Sequence, residues 1–96
     1  MIVHLVLFKL KPEVDEAKLE EMIQATRTQL AAISVVLDVR AGRNVDPSSD
    51  WPFFLSVEVE SIETLAIYRD DPLHVAYVDQ VIKPHTTERQ ALDYVT

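Results

Sequence analysis

The sequence predicts an α+β fold in which helices cover one face of a four-stranded antiparallel sheet. Three observations predict it. The apolar pattern runs strand, helix, strand, strand, helix pair, strand along the chain. That order suits an antiparallel sheet with its helices segregated to one side. Residues 53 to 60 alternate with period two, Phe53, Leu55, Val57 and Val59 against Phe54, Ser56, Glu58 and Glu60, as a strand with two different faces does. The first strand is apolar on both parities, so it needs a cover on each side.

Each element follows from local chemistry. Ile2 to Leu10 is rich in β-branched and aromatic residues, with Ile2, Val6, Phe8 and Leu10 on one face and Val3, Leu5 and Leu7 on the other. Pro12 ends it. Asp15, Glu16, Glu20 and Glu21 crowd the next start, where acids favour the positive end of a helix dipole. Leu19, Met22, Ile23, Thr26, Leu30 and Ile33 recur at helical spacing, which predicts a helix over 15–33 with its acids on a solvated face. Val35 to Val45 reads as the second strand, and Gly42, the only glycine, suggests a bulge or bend in it. Asp46, Pro47, Ser48, Ser49, Asp50 and Pro52 form a turn-rich loop. Trp51 at its edge is a loop or interface anchor, or part of a lid over a pocket.

Ser61 is placed to cap a short helix bearing Ile62, Leu65, Ala66 and Tyr68. Asp70, Asp71 and Pro72 interrupt it. Asp71 as cap with Pro72 in the first turn starts a third helix, expected to reach about Lys83 before Pro84. Thr87 to Val95 closes the sheet.

Composition bounds the function. The 96 residues make one domain, 1–96, and 48% hydrophobic with 26% charged residues are enough for a packed core. Nine basic residues against 16 acidic give a net charge of −7, which repels phosphate backbones and anionic lipid, so neither nucleic acid nor a membrane is an expected partner. No cysteine is present, which excludes disulfides, thiol nucleophiles and thiolate metal sites. The apolar start lacks a basic leader and a small-residue cleavage site, and no run approaches the ~20 residues of a membrane helix, so a cytoplasmic location is expected. A single glycine builds no phosphate-cradling loop, and no Gly-x-Ser-x-Gly elbow occurs, so nucleotide cofactors and serine hydrolysis fall away. No cofactor is expected. His4, His74 and His85 show no metal-ligand spacing, so no metal site is expected either.

Helices on one side leave the other apolar face of the sheet wet in a monomer. Association of two sheets covers it, which predicts a two-fold homodimer with a barrel-like core.

Several stretches resemble the stress-responsive A/B barrel (Dabb) family. Met1-Ile2-Val3-His4-Leu5-Val6-Leu7-Phe8-Lys9-Leu10-Lys11 is similar to that family's first strand with its histidine, and Gly42-Arg43-Asn44 to the end of its second. Ser61-Ile62-Glu63-Thr64-Leu65-Ala66-Ile67-Tyr68 followed by Asp71-Pro72-Leu73-His74 resembles its pattern of serine cap, helical tyrosine, proline and histidine, and Asp93-Tyr94 its usual ending. The chain departs at Ile33-Ser34-Val35-Val36, where the family often has proline and glycine. The resemblance implies a ferredoxin-like subunit, a dimeric α/β barrel, and a cavity lined by His4, Tyr68 and His74. Most bacterial members have no assigned activity, while one plant member closes a polyketide ring by cofactor-free aldol chemistry.

Three candidate site residues follow: His74, Tyr68 and His4. Val78, Val81 and Ile82 share the helix face of His74, which turns it inward. It is then either a base for proton transfer or a half-buried histidine bonded to the backbone; the helix start favours neutral imidazole, while Asp70 and Asp71 favour the charged form. Tyr68 is either an oxyanion donor or core. His4 has the parity of Val6 and Phe8 and is either a cavity or a sheet residue, and His85 after Pro84 is expected to be a plain surface residue. The leading expectation is a small, largely apolar molecule held in an apolar pocket between sheet and helices, with possible aldol or isomerase chemistry. The alternatives are a stress-related structural dimer and a cofactor-free monooxygenase.

Overall fold

A computed structural model describes residues 1–96. Strand β1 (Ile2–Leu10) is followed by helix α1 (Glu16–Ala31), strands β2 (Asp38–Arg43) and β3 (Phe53–Val59), helices α2 (Ile62–Asp70) and α3 (Pro72–Tyr77), a π-helical turn (Val78–Ile82) and strand β4 (Thr86–Val95). The sheet runs β2-β3-β1-β4, every neighbour antiparallel. This is the ferredoxin-like arrangement, with the first strand at the centre and the last at an edge.

The two parities of β1 meet different neighbours. Ile2, Val6 and Phe8 join Ala41, Phe53, Leu55, Val57 and Val59 on the helix side, where Leu19, Met22, Ile23 and Leu30 of α1 bury them. Register places Val3, Leu5 and Leu7 beside Phe54, Leu92 and Tyr94 on the opposite side, where Tyr94 is 53% exposed. No helix covers that side.

Side-chain caps fix the helix starts, at Ser61 and Asp71 as the sequence implies. Asp15 accepts from the Lys18 N–H at 2.8 Å, Ser61 from Thr64 at 3.2 Å and Asp71 from Leu73 at 2.8 Å. Asp15 is therefore the cap rather than part of the helix expected over 15–33. Arg43 of β2 ties the sheet to α1 through Glu16 and Glu20.

Three expectations need correction. The second strand is shorter than Val35 to Val45: Val36 N–H turns back to the Ile33 carbonyl at 3.1 Å, while Val45 lies beyond the pairing with β3 and is 98% exposed. Gly42 makes no bulge, and the pairing of β2 with β3 is continuous. A Cβ there would lie 3.1 Å from Cε1 of Phe54, so the glycine serves a close approach across the strands; the register instead shifts between Lys9 and Leu10, where β1 meets β4. Finally, the third helix reaches Ile82 by changing to π geometry, its last turn closed by Lys83 N–H to the Val78 carbonyl at 2.9 Å.

Side chains outside the core also find definite places. The Lys9 ammonium lies 5.0 Å from the Trp51 ring centroid, which pins the loop after β2 to the central strand. His85 is not a plain surface residue: it is half-buried, and its Nδ1–H donates to the Val81 carbonyl at 2.8 Å. No helix is long and apolar enough to cross a membrane.

Candidate active site

Opposed residues of an antiparallel pair share a face. His4 opposes Asp93, Val6 opposes Ala91 and Phe8 opposes Arg89, so these side chains all lie on the helix side of the sheet. The helices bury β1 and β3 there but stop short of β4, whose Arg89, Ala91 and Asp93 stay exposed. The gap is a cleft of about 500 Å³, lined from the sheet by His4 and these three residues. Tyr68, Arg69, His74, Val75 and Val78 line it from the helices, with Asp79 and Lys83 at the π turn.

The structure brings all three sequence-predicted residues together. The turn after α2 packs Tyr68 and His74 with ring centroids 4.5 Å apart and planes tilted at 47°, and His4 meets the Tyr68 ring edge-on at 6.1 Å. Tyr68 sits between the two histidines.

Hydrogen bonding fixes what each ring can offer. The Arg69 carbonyl can only accept, so the 2.9 Å contact makes His74 Nδ1 its donor and leaves Nε2 with the lone pair in neutral imidazole. No buried side-chain polar atom lacks a partner, and Nε2 makes no bond within the protein, so it opens to the cleft. Burial holds the His74 pKa below the ordinary histidine value; the bond to Arg69 opposes this, and the charges of His4, Arg69 and Arg89 reinforce it. Burial therefore decides what Asp70 and Asp71 left open in the sequence.

His4 is oriented in a similar way. Its Nδ1 lies 2.5 Å from an Asp93 carboxylate oxygen, an acceptor, so Nδ1 carries hydrogen and Nε2 is the free atom.

The two buried tyrosines differ in the same instructive way. Tyr77 shares a 2.6 Å hydrogen bond with Thr26, whose hydroxyl also lies 2.7 Å from the Met22 carbonyl, and both are core. Tyr68 is only 2% exposed and its hydroxyl makes no bond within the protein; since no buried side-chain polar atom is left without a partner, that hydroxyl opens to the cleft. Desolvation pushes its pKa far above the usual phenol value, so it stays a neutral O–H donor.

Sequence reasoning missed Asp93, Arg69 and Arg89 as lining residues. Asp93 and Arg89 join the site through the register of the first strand with the last, 89 positions apart for His4 and Asp93, which local spacing does not carry. The expected apolar pocket also needs correction. Val75, Val78 and Ala91 supply its apolar patches, but charged side chains form much of its wall.

Fold and site together describe a ferredoxin-like subunit with a histidine- and tyrosine-lined cleft between its edge strand and its helices. The family model of the stress responsive A/B barrel domain matches residues 2–96, and the chain belongs to that family. It is 30% identical to olivetolic acid cyclase of Cannabis sativa over 79 residues, 79% of this chain and 78% of that protein. It is also 30% identical over 97 residues to a stress-response A/B barrel domain-containing protein of Arabidopsis thaliana, and covers 99% of this chain but 36% of that longer relative. Among solved structures, a dimeric protein of unknown function with a ferredoxin-like fold from Bacteroides fragilis superposes with TM-score 0.83 at 26% identity, covering 99% of this chain and 95% of that one.

Proposed function

We propose that the chain is a homodimeric, cofactor-free catalyst of proton transfer beside a carbonyl group. The observation that carries this reading is the Tyr68 ring, its hydroxyl without a protein partner, packed 4.5 Å from the ring of a neutral His74 whose Nε2 opens to the same cleft. His74 Nε2 takes the proton from the carbon next to the carbonyl. The C–H electron pair becomes the enolate double bond, and the carbonyl π pair moves onto oxygen. Tyr68 O–H donates to that oxygen from a desolvated position, where a fixed dipole stabilises the new charge best. Return of the imidazolium proton to oxygen completes a keto–enol isomerisation and its return to the same carbon completes hydrogen exchange; in an aldol closure the enolate carbon instead attacks a second carbonyl, whose π pair moves onto its oxygen, and the imidazolium protonates that alkoxide. His4, held by Asp93, supports the far side of the Tyr68 ring. The likeness to a cyclase supports this reading at the level of reaction class.

The homodimer rests on the uncovered apolar face of the sheet and on the dimeric state of a structural relative.

Deuterium uptake from heavy water at the carbon beside the carbonyl of phenylacetone and phenylpyruvate tests the chemistry. The expected result is acceleration that falls about a hundredfold or more in His74→Ala while thermal melting is unchanged. Absence of acceleration on both ketones, or equal rates for the variant, favours a structural dimer without chemistry.

A further inference from the structure

The charge of the cleft runs against the charge of the molecule. A chain of net charge −7 gathers three of its nine basic residues, Arg69, Lys83 and Arg89, along one cleft, against the carboxylates of Asp79 and Asp93. The lining carries +1 with neutral histidines. Both carboxylates are already engaged, Asp79 with Lys83 at 3.1 Å and Asp93 with His4 at 2.5 Å. Arg69 and Arg89 are different. Neither guanidinium has a carboxylate within 4.0 Å or any side-chain hydrogen bond, whereas Arg40 and Arg43 pair with acids and Arg27 bonds the Ala41 carbonyl.

Two elements supply this pair. Arg69 lies in the last turn of α2, one residue after Tyr68, and Arg89 projects from β4 on the helix side of the sheet, two residues from Ala91 and four from Asp93. They thus approach the cleft from its helix wall and its sheet wall. Both residues line the same cleft as His74, and both charges help burial hold its pKa down. Unpaired guanidiniums on opposite walls of a cleft are suited to an anionic oxygen pair, which they bind through paired N–H donors. A lining of only +1 suits a monoanion better than a dianion.

We propose that Arg69 and Arg89 bind a carboxylate on the substrate, so that the cleft selects small oxo acids over neutral ketones. The choice of an oxo compound rests on the proton-transfer reading; the carboxylate site itself does not. The carboxylate fixes one end of the molecule between the guanidiniums, and its carbonyl then lies toward Tyr68 and His74. The apolar patches of Val75, Val78 and Ala91 take the hydrocarbon remainder.

The test is binding, measured by calorimetry and by amide NMR shifts, of phenylpyruvate, methyl phenylpyruvate and inorganic phosphate. Phenylpyruvate is expected to bind about tenfold or more tightly than its ester, with shifts at residues 68–78 and 89–93 and with phosphate a weak competitor. Arg69→Gln and Arg89→Gln each reduce that preference about tenfold and leave ester binding and melting temperature unchanged. Both arginines are exposed, so these variants keep the fold. Equal binding of acid and ester, phosphate binding as tight as phenylpyruvate, or an undiminished preference in both variants overturns the proposal. A retained preference for the acid without deuterium uptake overturns the proton-transfer reading alone, whereas uptake without the preference overturns the carboxylate site alone.

Discussion

His74 and Tyr68 show how one residue's surroundings set both its chemistry and its cost. Burial lowers the His74 pKa from its ordinary 6.5, so the folded chain binds that proton less tightly than the unfolded chain. The sign follows from linkage. Above the ordinary value both states are neutral and the site costs nothing; as pH falls through it, only the unfolded chain gains the proton, and stability drops. Denaturant midpoints compared between about pH 7 and pH 5 are therefore expected to fall more for wild type than for His74→Gln. Midpoints falling in parallel would show that His74 titrates as if unfolded. On the proposed proton transfer, deuterium uptake by the wild type is expected to fall through an acid limb centred below 6.5.

The tyrosines separate activity from stability. Tyr68→Phe removes a hydroxyl that opens to the cleft and has no protein partner, so melting is expected to stay within about 0.5 kcal/mol of wild type while deuterium uptake drops at least about tenfold. Tyr77→Phe breaks the bond to Thr26 and is expected to cost about 1 kcal/mol of stability with little effect on uptake. Tyr77 was not singled out, whereas the inward direction of His4, Tyr68 and His74 was legible from parity and helical spacing. Which tyrosine hydroxyl lacks a partner was not, because Thr26 and Tyr77 are 51 positions apart in the chain.

Elements were legible where the local signal and the tertiary partner agreed. Caps at Ser61 and Asp71 formed as their sequence positions imply, since a cap needs only the next turn, while Asp15 caps a helix in which it was expected as a member. The second strand was overextended because β-branched residues at 35, 36 and 45 satisfy propensity without pairing, and a strand exists only where its neighbour runs. Gly42 was misread for a related reason: its need is the Phe54 ring on the next strand, which local sequence does not display. Gly42→Ala consequently moves that ring, which lies half-buried on the uncovered face of the sheet. The expected outcome is weaker self-association in sedimentation with the helix-side core unchanged, whereas an intact association constant would place the strain elsewhere. The helical repeat after His74 was misjudged only in its last turn, where the π turn adds a residue and carries Asp79 and Lys83 to the cleft.

At the scale of the whole molecule, the sheet has one face buried by helices and one face of Val3, Leu5, Leu7, Phe54, Leu92 and Tyr94 that no helix covers. Leu5→Asp places a charge at the centre of that face, opposite Leu92 and Ser56. Native mass spectrometry is expected to show a dimer for wild type and a monomer for the variant at micromolar concentration. A monomeric wild type would remove the barrel and leave the fold of the subunit standing.

The strand order has a kinetic meaning as well. Because the central strand is the first and its edge neighbour the last, the cleft acquires Arg89 and Asp93 only when the final ten-residue strand docks on a partner that began the chain. Such distant pairing is slow to form compared with the local helices. A refolding chain should therefore regain its helical signal well before it regains binding, and ligand affinity, read in stopped flow, becomes a clock for the closing of the sheet.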